Sequence, residues 1–308
     1  MSEVKTNDPS TNSVFSMSVS TRYKDLIDTP LYVTLREDLS SLFNFLDFHG
    51  PTIPLVHKIV ACFRLLQLIG CSFMATNPDV VDRNSLTFRV LNILSVLWHL
   101  LPVVAREGIE YIVIYSTNMI LLLFFIYLVS SAVRYRKTSH LSQISTNILS
   151  IFLSIVPFLF IPISVQYSGQ IVSAYFSKDY KIEFKTLFAV LFTLVIVTIY
   201  TLMMIYCYTI TLSFRMMSFQ TIEGGAQCKI YITSIAVTFF SSLTTYLSVK
   251  PSIGFMIISI ICYFFNASSC FRCGTFVKQI DQYLILGGSI LGILERQHKT
   301  SSKWIVGK

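Results

Sequence analysis

The chain has 308 residues, of which 53% are hydrophobic and only 13% charged. That charged share is about half of what a soluble domain carries, so an ordinary soluble enzyme or nucleic-acid-binding domain is a poor match. The formal charge of +8 is uneven: residues 1–50 hold four basic and seven acidic residues, net −3, leaving +11 on the remainder. An excess of this kind on an apolar chain reads as cytoplasmic loops and tails facing anionic lipid, and no nucleic-acid partner is expected.

Residues 1–20 are rich in Ser, Thr and Asn and are expected to be disordered. Residues 1–40 form a polar N-terminal region, 41–272 a transmembrane bundle and 273–308 a juxtamembrane connector with a basic tail. No apolar stretch of signal-peptide length occurs in the first 50 residues, so no cleaved leader is expected. Leu39, Leu42, Phe43, Phe45 and Phe48 make an amphipathic patch ahead of the Gly50–Pro51 break, suited to a helix on a membrane surface.

Seven apolar stretches follow, and the expected fold class is all-α: a polytopic membrane bundle of about seven transmembrane helices. Pro54–Ala75 is the weakest, with His57, Lys58, Arg64 and Gln67 inside it. An arginine at a helix centre costs about 2.5–3.5 kcal/mol on insertion scales. Leu86–Val104 carries Arg89, Asn92, Ser95 and His99, spaced by three or four residues and so on one helical face. Tyr111–Val133 ends in Arg134, Arg136 and Lys137. Ile144–Val165 contains Pro157 and Pro162 and is expected to bend there. A charged loop over 167–185, a span over Leu187–Leu212 and a flexible turn at Gly224–Gly225 come next. Ile230–Val249 and Ile253–Phe271 complete the set. The balance of Lys and Arg about these spans favours an N-terminus outside and a C-terminus in the cytoplasm, at the plasma membrane.

His57, Arg64, Arg89, Asn92 and His99 are the candidate intramembrane polar site. Read functionally, they serve a ligand, an ion or a proton among the first two spans, as in a transporter or channel. Read structurally, they bond carbonyls and hydroxyls or snorkel to an interface, and this reading is preferred. Tyr283–Leu294 is too short to span. Its Gly288 and Gly292 have the small-xxx-small spacing of close helix contacts, marking either a surface segment or a homodimer contact that passes a signal onward. Cys270-Phe-Arg-Cys273 has no matching second pair, and no metal or other cofactor is expected in this chain. Asn266-Ala-Ser268 is a glycosylation sequon inside an apolar span, where no transferase reaches it. P-loop, zincin and nucleophile-elbow patterns are lacking, so no catalytic residues are assigned. Val133-Arg134-Tyr135-Arg136 is superficially similar to the Asp-Arg-Tyr of rhodopsin-like receptors, but the acid is missing and no Asn-Pro-x-x-Tyr follows.

Another resemblance covers more of the chain. Leu42-Phe-Asn-Phe-Leu-Asp-Phe-His-Gly-Pro-Thr-Ile-Pro54, with His57 and Ala61-Cys-Phe-Arg-Leu-Leu-Gln67, resembles the start of the membrane region of trichomonad receptor-type adenylyl/guanylyl cyclases, and the later spans are similarly arranged. The resemblance implies a sensor-like membrane module whose partners are the lipid bilayer and a downstream cytoplasmic cyclase domain. It carries over no catalytic residue onto this chain.

Overall fold

The computed structural model describes residues 31–50, 59, 86, 109–177, 183–205, 224–244, 246–271 and 286–294 apart from 292. Six helices order them: α1 (Leu31–His49), α2 (Glu110–Thr138), α3 (Gln143–Phe176), α4 (Phe184–Met203), α5 (Gly224–Leu243) and α6 (Val249–Phe271). No strand occurs among the described residues. Four helices are long and apolar enough to cross a membrane: α2, α3, α4 and residues Lys250–Ser268 of α6. The expected spans at Pro54–Ala75 and Leu86–Val104 lie outside the described residues apart from Ile59 and Leu86.

Beside an apolar core, this bundle buries many polar side chains and leaves large apolar ones outside. Leu123, Leu194 and Phe264 are each 60–64% exposed, whereas Asn118, Ser164, Ser173 and Ser252 are fully buried. Water outside would make that distribution costly, since polar groups would lose solvent while large aliphatic groups faced it. With hydrocarbon outside, the same distribution is favourable, and helix contacts then rest on small residues and interhelical hydrogen bonds.

Contacts set the direction of each helix. Tyr127 Oη lies 2.8 Å from Ser145 Oγ near the α2–α3 turn, while Ser164 meets Asn118 further along, so the two run antiparallel. α4 runs alongside α2 in the same sense, from Tyr115 at Lys185 to Leu121 at Tyr200. α5 is parallel to α3: Phe158 packs edge-on against Tyr231, and Ser173 donates to the Leu243 carbonyl. α6 returns antiparallel, its Phe255 stacked on Phe240. The five helices therefore alternate in direction. One end of the bundle gathers the close of α2 with Arg134, Arg136 and Lys137, the starts of α3 and α5, and the close of α6.

α3 is the hub. Residues 161–170 are buried on every side, against α2, α4 and α5. The sequence expectation ends this span at Val165 and gives 167–185 to a charged loop, yet Gln166, Ser168, Gln170 and Ser173 carry no charge. They are polar for another reason, lying buried in the bundle where helix-to-helix hydrogen bonds form. The helix continues to Phe176, and Pro157 and Pro162 both lie within it. Membrane helices tolerate prolines because neighbouring groups satisfy the freed backbone. Gly224 and Gly225 likewise open α5 instead of forming a turn.

α1 sits on the α2–α3 hairpin. Leu39, Leu42, Phe43 and Leu46, spaced as one helical face, enter the same core as Leu128, Ala132, Leu149 and Leu153. Asp38 pairs with Arg136 at 3.4 Å, Phe45 packs on Tyr135 with centroids 4.7 Å apart, and Gly50 lies against Ser150. This surface-helix segment thus belongs to the basic end of the bundle.

Where α3 crosses α5, Gly169 admits the neighbouring helix: a Cβ there would fall 2.6 Å from Ser242 Cβ and 3.2 Å from the Phe239 carbonyl. Gly169 and Ser173, four apart, form the close-approach stripe of α3 on this side. Gly169→Ala is expected to lower stability by about 1–3 kcal/mol, the usual overpacking cost, in unfolding measured in detergent micelles. Gly254→Ala, where nothing lies within 4 Å, is expected to leave stability unchanged or raise it. Equal effects at the two glycines would refute the close crossing.

Candidate functional site

The densest polar constellation among the described residues joins α2, α3 and α4. It consists of Asn118, Ser164, Ser168 and Thr193, none more than 4% exposed. Ser164 and Ser168, four residues apart on α3, present their hydroxyls on one face. Asn118 comes from the first third of α2, and Thr193 from the middle of α4.

The protons can be followed through the cluster. Asn118 Nδ2 donates to Thr193 Oγ1 at 2.9 Å, and Ser168 Oγ donates to the same oxygen at 2.9 Å. Thr193 gives its own proton to the Ala189 carbonyl one turn back, at 3.1 Å. Ser164 donates to Asn118 Oδ1 at 2.7 Å and lies 3.2 Å from Thr193 Oγ1. Each helix thus holds the other two through a group that hydrocarbon would leave unsatisfied. The oxygens approach one another closely and bond directly, so the cluster is a junction closed on itself.

Below it, towards the end bearing Glu110, Tyr115 donates to the Lys185 carbonyl at 3.1 Å. Lys185 Nζ stands 4.8 Å over the Tyr111 ring and 2.7 Å from Glu183. Above it, Tyr200 donates to the Leu121 carbonyl at 2.9 Å. α2 and α4 are therefore stitched at three levels.

A second constellation lies where α6 meets the residues after it. Asn266 Nδ2 donates to Ser289 Oγ at 2.9 Å in a buried contact, and Gly288 beside it is also buried. Ile293 packs against the small core of Val237 and Tyr263. Asn266, the sequon asparagine, is 2% exposed and committed to Ser289.

The sequence-derived candidates His57, Arg64, Arg89, Asn92, His99 and Gly292 lie outside the described residues. Asn118 and Thr193 were missed by sequence reading, which looked for charge. The available signal was a lone carboxamide inside the apolar run Tyr111–Val133. No group of three or more His, Cys, Asp or Glu that could hold a metal occurs among the described residues. Set against protein-family models, curated proteins and solved structures, the chain matches none.

The junction makes a quantitative demand on a double-mutant cycle. Asn118→Leu and Thr193→Val are each expected to destabilise the protein, and the pair by less than their sum. The coupling should be about 0.6–1.7 kcal/mol, the range for hydrogen bonds between membrane helices, read from unfolding in micelles. Strict additivity would show that the two side chains do not share a bond.

Proposed function

We propose that the chain is the membrane module of a multi-pass signalling protein, in which the state of the bundle is passed to the segment after α6. The buried Asn266–Ser289 bond carries this reading. It ties residues 286–291 to the last membrane helix, so movement of α6 is transmitted to the chain beyond it. The sequence resemblance of Leu42–Gln67 to receptor-type adenylyl/guanylyl cyclases supports a cyclase domain as the recipient. In this reading the chain itself supplies sensing and anchorage and no catalytic group.

The orientation that suits this role has the basic end in the cytoplasm. Arg134, Arg136, Lys137 and Lys229 belong to the ends of α2 and α5 that share it, against Lys185 and Lys250 with Glu110 and Glu183 at the other. The positive-inside bias supports that assignment. The Asp38–Arg136 pair supports α1 on the same side as the close of α6, so Arg36 joins the cytoplasmic tally. Counting spans from sequence put these two regions on opposite sides.

The test is to express the natural reading frame that contains this chain in cells lacking their own cyclases and to measure cyclic AMP and cyclic GMP. One of the two nucleotides is expected to rise. Asn266→Leu is expected to change that output by about fivefold or more, the lower end of an ordinary coupling energy, at unchanged protein level in the membrane. Absence of both nucleotides would overturn the cyclase assignment. Output indifferent to Asn266→Leu and Ser289→Ala would overturn the coupling.

A further inference from the structure

The lipid-facing stripe of α2 ends in two cations. Leu123, Tyr127, Ser130, Arg134 and Lys137 succeed one another at intervals of four and three residues, so they share one face of the helix. All five are exposed, Leu123 by 60% and Tyr127 by 38%. Arg136 points elsewhere, to Asp38 of α1. Neither Arg134 nor Lys137 has an acidic partner within ion-pair distance among the described residues.

Their height along the helix fits a headgroup. At 1.5 Å per residue, Arg134 lies about 16 Å and Lys137 about 21 Å from Leu123. Half a bilayer, from midplane to the outer edge of the headgroups, is about 20–22 Å. Glu110, at the other end of α2, lies about 20 Å from Leu123 in the opposite direction. The 29-residue helix therefore matches a whole bilayer, with Leu123 near the midplane.

We propose that the face Leu123–Tyr127–Ser130–Arg134–Lys137 of α2 is a binding site for one anionic phospholipid, with its acyl chains along Leu123 and Tyr127 and its phosphate between Arg134 and Lys137. The ring of Tyr127 is held in place for this contact because its hydroxyl is bonded to Ser145 across the hairpin. Two cations at headgroup level distinguish a lipid of net negative charge from phosphatidylcholine, whose ammonium group leaves it with no net charge. Since α1 is pinned to the neighbouring face of the same helix end, the lipid also borders the Asp38–Arg136 contact. The proposal rests on membrane insertion alone and is independent of the signalling reading.

The full chain, reconstituted in nanodiscs of phosphatidylcholine mixed with phosphatidylserine and then extracted, tests it by native mass spectrometry of retained lipid. The wild type is expected to retain phosphatidylserine over phosphatidylcholine by about thirtyfold, as two surface cations would give. The double variant Arg134→Gln/Lys137→Gln is expected to lose most of that preference. Lys250→Gln, which removes a cation from the opposite end, is expected to keep it. Should the double variant fold poorly in the micelle unfolding assay, Lys137→Gln alone is expected to lose roughly half of the preference on a logarithmic scale. Equal retention of the two lipids by the wild type, or undiminished preference in the Lys137 variant, would overturn the site. Displacement of the lipid by millimolar inorganic phosphate would show a phosphate site that does not recognise lipid.

Discussion

Hydrocarbon on the outside leaves a membrane helix no solvent to satisfy its hydroxyls and amides, and the Asn118–Thr193 bond is where this constraint is met most fully. One carboxamide on α2 and three hydroxyls on α3 and α4 spend their protons on one another and on a single carbonyl. The rest of the bundle is arranged about that junction. Its position fixes α2 and α4 as parallel neighbours on one side of α3. α5 is then left to the opposite face, where Gly169 lets the backbones approach and Ser173 bonds the end of the incoming helix. Ser173 also accepts from the Tyr246 amide at 2.9 Å, so one side chain of the hub ends α5 and starts the turn into α6.

Much of this was legible in the sequence, because hydropathy reads the outside of a membrane helix well. The runs Tyr111–Val133, Leu187–Leu212 and Ile253–Phe271 all overlap helices. It reads the inside badly. The last ten residues of α3, 167–176, fall in the expected loop over 167–185, although the polarity of Ser168, Gln170 and Ser173 reports burial among neighbours. The same blindness hid the Asn118 junction, since a search for charged residues passes over neutral groups whose value depends on what lies across the interface. Gly224 and Gly225 show another limit: a glycine pair suits a helix start as well as a turn, and only the packing of α5 against α3 decides.

Both ends of the chain's described part meet at the basic end of the bundle. α1 is held there by an apolar face and one ion pair, and residues 286–291 are held by a hydrogen bond to Asn266 and the packing of Ile293. An exposed ion pair contributes little alone, but Asp38 is only 8% exposed, and its partner comes from the helix whose other face carries Arg134 and Lys137. Charge at this end is therefore divided by direction: one arginine turns inward to hold α1, and two cations turn outward to the level of the headgroups. Such an arrangement joins the lipid surface, the first helix and the segment after the last one within a single region.

The large apolar side chains on the outside of the bundle carry the membrane reading, and nitroxide accessibility tests it directly. Spin labels introduced singly as Leu123→Cys, Leu194→Cys and Phe264→Cys, in a background with the native cysteines replaced, would be examined in liposomes. Relaxation by oxygen, which concentrates in hydrocarbon, is expected to be strong at all three positions, and relaxation by a water-soluble nickel chelate weak. Strong nickel relaxation at these positions would mean that water covers the apolar faces, and the bundle would then not be a membrane bundle.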